Sequence, residues 1–482
     1  MPPVGICGNR ESRRLKNMGV WRAVRGLIRV LISATASIAL SSTVGAQVRG
    51  GMPAGIPAGI PMGIPGRIPT GPSVAFPGNI PSVPHRPVDV PANGPPDSIR
   101  DGTEHGAQGL ERAREARSEP LSQPQKDRAA HRARELPNDY ELDRNGALVV
   151  RGEVLATGLD ASELERIERA GFSILRRTEL PDIGITLVTL SRGGMAATEA
   201  IGSLRRIAPK GNFALNHVLF ESRSPGAASA PEGFARTGST RPMVTVGLID
   251  TGVGPDVGAG AKVQVVRRNF APSESRPAVH GTAVASVLAR GAGQVKIYAA
   301  DIFGSGPRGG TSELLLFALA WMASARVPVI NVSMVGPANQ LVRTVVERLT
   351  KRGFTIVAPV GNDGSGAQLL YPASYPGVVA VSATDANGRL LAEASRVRRV
   401  DFVAPGITTV RDLRGHETVL RGTSFAAPVI ARLIADQVEV PDPATARGAL
   451  SALAKSAFHP TADRQWYGQG ILGISARCAA CR

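Results

Sequence analysis

Four residues of this sequence have the types and surroundings that acyl transfer requires: Asp250, His280, Asn362 and Ser424. An amide is a poor electrophile and a serine hydroxyl a poor nucleophile at neutral pH, so a base must take the serine proton as attack begins. His280 suits that task, because imidazole titrates near the working pH. Asp250 would fix the imidazole tautomer and balance the imidazolium that forms. Asn362 would donate its side-chain amide to the oxyanion, with the Ser424 backbone N–H as second donor. Each residue taken singly also has an ordinary reading. Ser424 fits a helix N-cap, Asp250 a turn at a strand end, His280 a helix cap, and Asn362 a turn residue ahead of Gly364.

The elements that must position these groups are legible around them. Ser424 lies in Arg421-Gly422-Thr423-Ser424-Phe425-Ala426-Ala427-Pro428, and an apolar helix-forming run follows. That puts Ser424 at or near a helix N-terminus, where unpaired N–H groups favour negative charge. Pro428 falls close enough to the start to be tolerated in or near the first turn. Met243 to Ile249 is a short apolar run of strand character ending in Asp250-Thr251-Gly252, and His280 heads a second small-residue helix. The three residues are far apart in sequence, so only the fold can assemble them. From Pro242 onward strand-like runs alternate with helices: strands at 295–300, 327–333, 354–360 and 377–382, helices at 311–324 and 339–352. Such alternation predicts an α/β unit with a mostly parallel, doubly wound sheet and functional groups beyond the carboxyl ends of its strands.

Asp-Thr-Gly, His-Gly-Thr and Gly-Thr-Ser-Phe-Ala-Ala-Pro, in that chain order, resemble the subtilisin-like serine protease family (subtilases). The resemblance covers about Pro242 to Ile474, roughly half the chain. It implies a subtilisin-like fold and a serine-type endopeptidase with Asp250, His280 and Ser424 as its triad. Val357-Ala358-Pro359-Val360-Gly361-Asn362 resembles the family's AAxGN segment, which makes Asn362 the oxyanion-hole residue. Asn331-Val332-Ser333-Met334-Val335-Gly336-Pro337 resembles the NxSLGGP segment, whose backbone pairs with substrate as an added strand. Ser333, Met334, Val335, Ala358, Val360 and Gly361 are therefore the expected substrate-binding residues. The sequence departs from the family at Val335, where glycine is usual, and at Val360, where alanine or serine is common. These departures predict either a narrowed pocket preferring small or medium apolar side chains, or simple repacking. A peptide-library profile dominated by Phe, Tyr or Arg before the scissile bond would exclude the narrowed pocket.

The family often binds calcium, and Asp256, Asp301, Asp363 and Asp385 invite that reading. No compact carboxylate cluster with loop spacing accompanies them, so no cofactor or metal ligand is assigned.

Ahead of the peptidase-like half, residues 139–222 read as a small α+β unit in βαββαβ order, the ferredoxin-like pattern. Its elements are strands at 147–155, 172–175 and 183–190, helices beginning at Asp160 and spanning 196–207, and a closing strand at 218–220. In this position it resembles the family's propeptide, an intramolecular chaperone and inhibitor. Leu215-Asn216-His217-Val218 resembles the Asn-centred segment near that propeptide's end, with His217 structural. Residues 223–241, which overlap a Ser/Gly/Ala/Pro-rich stretch from Ser222 to Thr240, form an exposed processing linker. The expected layout is completed by a secretory signal at 1–46, a disordered Gly/Pro- and Arg-rich segment at 47–138, the peptidase at 242–475 and a tail at 476–482.

The signal rests on Arg10, Arg13, Arg14, Lys16, Arg22, Arg25 and Arg29 before the apolar run Leu31–Leu40 and the small residues Val44-Gly45-Ala46. That run is short and rich in Ser and Thr, which argues against an uncleaved anchor. The Gly-Ile-Pro repeat from Gly55 has a period of four, excluding collagen's three-residue repeat and favouring extended chain. Net charge is +17, but much of the excess is in the signal, and no aromatic-interleaved basic patch suggests nucleic acid. Three cysteines give no disulfide framework; Cys478 and Cys481 form a lone terminal pair suited to one local disulfide. The expected partners are polypeptide substrates and the chain's own prodomain. The expected location is the periplasm, cell surface or exterior. A non-catalytic scaffold with a retained prodomain is the competing reading.

Overall fold

The computed structural model describes residues 121–222, 243–257, 262–291, 293–306, 309–366, 368–411, 416–460 and 464–473, all within one compact unit. The signal, the Gly/Pro repeat, the linker at 223–241 and the two C-terminal cysteines lie outside the described residues.

The described chain opens with a helix, α1 (Gln123–Glu135), followed by a hairpin of β1 (Tyr140–Leu142) and β2 (Leu148–Thr157). Then come α2 (Ala161–Arg169), β3 (Ser173–Leu180), β4 (Ile185–Ser191), α3 (Ala197–Ile207) and β5 (Asn212–His217). Asp160 starts α2 with a capping box, its carboxylate accepting from the Glu163 N–H while the Glu163 carboxylate accepts from the Asp160 N–H. β5 and β4 flank β2, with β3 outside β4, and all pairings are antiparallel. This is the βαββαβ arrangement read from the sequence. Two expectations need correction. The closing strand is Asn212–His217 rather than 218–220, and residues 123–135 are helical rather than disordered. α1 has no apolar stripe to betray it: its buried residues are Gln125 and Ala129 alone.

The strands of this unit serve two cores by simple alternation. Val154 and Ala156, Val188 and Leu190, and Phe213 face α2 and α3. Leu155, Leu187 and Ala214 point the other way, together with Ile183, into an apolar cluster shared with the second half of the chain.

That second half contains β6 (Phe220–Glu221), β7 (Met243–Asp250), β8 (Val263–Asn269), α4 (Val279–Leu288), β9 (Gln294–Asp301), α5 (Ser312–Ser324), β10 (Val329–Val332), β11 (Met334–Val335), α6 (Gln340–Lys351), β12 (Thr355–Pro359), β13 (Val379–Thr384), β14 (Phe402–Pro405), β15 (Ile407–Arg411), β16 (Glu417–Arg421), α7 (Thr423–Ala435) and α8 (Pro443–Ser456). Seven strands form a parallel sheet in the order β14-β13-β12-β10-β7-β9-β8. The inner strands are mostly apolar, as a sheet covered on both faces requires. α4 and α7 pack on one face and α5 and α6 on the other, each in its own cluster. The sheet is the doubly wound α/β layer expected from the alternation, with β7 near its centre. Pro428 sits well inside α7 rather than in its first turn. Its missing N–H removes the intrahelical partner of the Ser424 carbonyl.

Among the described residues no helix is long and apolar enough to cross a membrane.

Candidate active site

Asp250 is the last residue of β7, a strand paired on both sides, so its backbone is fixed by β9 and β10. Its Oδ1 accepts from the Thr251 N–H at 2.6 Å and the Thr251 hydroxyl at 3.0 Å. The Thr251 hydroxyl in turn accepts from the Gly281 N–H at 2.9 Å, tying the β7 end to the start of α4. Gly281 permits this approach: a Cβ there would lie 2.3 Å from the Thr251 carbonyl oxygen. His280, second residue of α4, is thereby held over Asp250.

His280 Nδ1 is 2.8 Å from Asp250 Oδ1 and its Nε2 is 2.9 Å from Ser424 Oγ. With the carboxylate as acceptor, Nδ1 carries the proton and Nε2 presents its lone pair to the serine O–H. Asp250, His280 and Ser424 are only 1%, 2% and 0% exposed, so the chain of hydrogen bonds lies out of bulk water, where it is stronger. Phe425 packs against the imidazole ring, centroids 5.4 Å apart.

Ser424 is the second residue of α7. Gly422 precedes the helix at φ 144°, and a Cβ there would come within 2.8 Å of Asn362 Nδ2. Asn362 is held by Thr423: its Oδ1 accepts from the Thr423 N–H at 3.0 Å and the Thr423 hydroxyl at 3.1 Å. Its Nδ2 is thus directed away from Thr423, and donates to Ser222 Oγ at 3.3 Å. Asp250, His280 and Ser424 therefore form one hydrogen-bonded chain, and Asn362 is tied to the residue next to Ser424.

The expected substrate-binding residues divide. Val335 lines a cleft of about 690 Å³ together with Asn362, Asp363, Phe303, Gly309 and residues 218–222. Met334 and Val335 form β11, which pairs with β6. Ser333 Oγ accepts from Asn331 Nδ2 at 2.6 Å, and the Gly361 carbonyl accepts from the Thr423 hydroxyl at 3.2 Å. Ala358 and Val360 are buried in the cluster beneath α5 and α6.

The aspartates weighed for calcium go separate ways. Asp301 accepts from the Phe303 and Gly304 N–H groups and the Ser275 hydroxyl. Asp363 accepts from Gln125 and Arg128 of α1, and Asp385 pairs with Arg389. Among the described residues no group of three His, Cys, Asp or Glu side chains is arranged to hold a metal.

Sequence reasoning passed over several residues that matter. Thr251 and Thr423 sit inside the recognised motifs, and their roles follow from the motifs' spacing once the fold is known. Ser222, last residue of the 139–222 unit and first of the Ser/Gly/Ala/Pro-rich stretch, was given no role, yet it is 2% exposed and touches both Asn362 and Thr423. Asn216 and Glu313 make the joint between the two halves: Asn216 Oδ1 accepts from the Glu313 N–H in the first turn of α5, and Arg176 bonds the Glu313 carboxylate at 2.9 and 2.8 Å. His217 is structural here, set between Asp143 and Asn339.

Residues 242–470 match the family model described as the subtilase family. Subtilisin DY of Bacillus licheniformis is 30% identical over 254 residues, covering 48% of this chain and 90% of the relative. Subtilisin E of Bacillus subtilis is 27% identical over 279 residues, covering 52% and 71%. Among solved structures, fervidolysin from Fervidobacterium pennivorans, described as a keratinolytic enzyme related to subtilisin, superposes with a TM-score of 0.56 at 20% identity. That likeness covers 70% of this chain and 62% of fervidolysin's, and speaks to fold alone.

Proposed function

This chain belongs to the subtilase family and is a serine-type endopeptidase, and from that premise we propose that it is exported as a self-processing zymogen whose triad is Asp250, His280 and Ser424. The observation that carries the reading is the unbroken pair of short contacts, 2.8 Å from Asp250 to His280 and 2.9 Å from His280 to Ser424.

In the proposed reaction the substrate carbonyl lies against Ser424. His280 Nε2 takes the hydroxyl proton as Oγ attacks, and Asp250 stabilises the imidazolium without itself being protonated. Negative charge gathers on the former carbonyl oxygen, where Asn362 Nδ2 and the Ser424 N–H are the candidate donors. Thr423 holds that amide in place before reaction begins, so little reorganisation is needed as charge develops. His280 then returns the proton to the leaving amine, and water completes hydrolysis of the acyl-enzyme by the same route. Every step is assigned to side chains and backbone of this chain.

The unit at 140–217 serves in this reading as folding aid and inhibitor. Its support is the shared apolar cluster of Leu155, Ile183, Leu187 and Ala214 with α5 and α6, together with the Asn216 and Arg176 bonds to Glu313. Each well-buried aliphatic side chain contributes about 1.5–3 kcal/mol. The Arg176 pair, with the arginine 42% exposed, contributes about 1 kcal/mol at most after screening. Apolar burial is therefore the dominant hold. Export rests on the basic-apolar-small pattern of residues 1–46, and the substrates are polypeptides.

The test is intact mass of the wild type beside Ser424→Ala. The reading expects the wild type to lose its prosegment and the variant to remain whole beyond the signal. Identical products from both chains would instead favour a non-catalytic scaffold with a retained prodomain.

A further inference from the structure

We propose that the bond this chain cuts in itself joins Ser222 to Arg223, and that the mature enzyme takes extended polypeptides with leucine three residues before a small residue at the cut. The inference rests on the reading of Ser424 as nucleophile.

The segment 218–222 enters the cleft as a strand held from both sides. Val218 bridges Thr311 and the Leu219 N–H donates to the Gly310 carbonyl at 2.8 Å. On the opposite side β6 pairs antiparallel with β11, Phe220 in register with Val335 and Glu221 with Met334. The ladder fixes the register, because a one-residue slip would turn every side chain over. Leu219 then lies 5% exposed in the apolar cluster with α5. Its fit against Gly336 is close: a Cβ at Gly336 would be 2.5 Å from the Leu219 Cδ2.

Pairing ends at Glu221, and the next residue is Ser222. Its hydroxyl accepts from Asn362 Nδ2 at 3.3 Å and lies 3.3 Å from the Thr423 hydroxyl. Its carbonyl oxygen faces the turn that leads into Ser424: a methyl on Gly422 would be 3.4 Å from that oxygen and 2.8 Å from Asn362 Nδ2. The carbonyl of this segment that lies at the turn leading into Ser424 is thus that of Ser222. Ser222 is 2% exposed with its hydroxyl against Asn362 and Thr423, so a large ring in its place would crowd those groups.

The step balances as an ordinary hydrolysis. Ser424 Oγ bonds to the Ser222 carbonyl carbon and its proton passes to His280. The C–N bond to Arg223 breaks as that nitrogen takes the proton and becomes a new amino terminus. Water then hydrolyses the ester, leaving Ser222 as a free carboxyl terminus.

Both fragments of freshly purified full-length wild type should be sized by intact mass, with Ser424→Ala alongside. The expected result is a prosegment ending at Ser222, a peptidase fragment beginning at Arg223, and an uncut variant. A prosegment ending at any other residue, with the variant still whole, would overturn the bond while leaving self-processing intact. If neither chain is cut, or both are cut alike, the nucleophile assignment falls and this inference with it. A peptide of residues His217–Ala228, given to the processed enzyme, provides a test independent of folding. It should be cut after Ser222, and replacing its serine by Phe or its leucine by Asp should lower kcat/KM more than about tenfold. Cutting elsewhere, or a gain with Phe, contradicts the proposal.

Discussion

Thr423 donates both its N–H and its hydroxyl to Asn362 Oδ1, at 3.0 and 3.1 Å. The residue immediately before the candidate nucleophile therefore sets the direction in which the Asn362 amide points. In the proposed mechanism, oxyanion stabilisation would depend on a pair, one member on the loop after β12 and the other at the head of α7.

Asn362→Ala should lower kcat by about 10²–10³ with little change in KM, since the donor acts chiefly in the transition state. Thr423→Val keeps the N–H bond and loses the hydroxyl bond, so a smaller loss of about fivefold, near 1 kcal/mol, is expected. Steady-state kinetics on a peptide substrate would measure both. A larger KM effect than kcat effect for Asn362→Ala would place the residue in ground-state binding instead.

Asp250→Asn should reduce kcat by about 10⁴, because a neutral amide no longer stabilises the imidazolium that forms on His280. The loss should not be matched by unfolding, since the Thr251 contacts to Oδ1 can be kept by the amide oxygen. Circular dichroism beside the kinetics would separate the two effects.

How far these groups could be read from the sequence depended on whether their backbone demands are local. Asp250, His280 and Ser424 each sit beside a glycine or threonine required at that position, and the close approaches of Gly281 and Gly422 explain why. The central strands were legible because they are short, predominantly apolar runs. β8 was not foreseen, since it is an edge strand whose Arg267 and Arg268 are exposed. α1 escaped because its few tertiary bonds are polar, Gln125 and Arg128 to Asp363, and leave no periodic apolar signal. Ser222 was hidden by composition: its place follows from the pairing of Phe220 and Glu221 with β11 and from its own contacts to Asn362 and Thr423, all distant in sequence.

The prosegment should be released at rates set by apolar packing. Ile183→Ala removes a side chain buried against α5 and α6 and should speed the appearance of activity after cleavage about thirtyfold, the equivalent of about 2 kcal/mol. Arg176→Ala should speed it only about fivefold, since that arginine is half in solvent. The lag before full activity measures both, and equal effects would mean the ionic joint matters more than packing.

Release should also respond to acid. Burial opposes ionisation of Asp143, but hydrogen bonds from His217, Ala147 and Asn145 outweigh it and hold the carboxyl below its ordinary value of 3.8. A depressed folded-state value means that the unfolded chain binds the proton first as pH falls. The contribution is therefore complete above that ordinary value and lost as pH drops through the folded one. Hydrogen exchange of residues 140–217 in Ser424→Ala should accelerate below about pH 4, and Asp143→Asn should flatten that dependence. An unchanged profile in the asparagine variant would assign the acid response to other groups.

The central claim is that His280 activates Ser424 for attack on a carbonyl. Its most direct test is labelling of the processed protein with a serine-directed fluorophosphonate, followed by mapping of the adduct by peptide mass. The account predicts a single adduct on Ser424, slowed strongly in His280→Ala and absent in Ser424→Ala. A folded wild type that takes no label, or takes it on another serine, would contradict it.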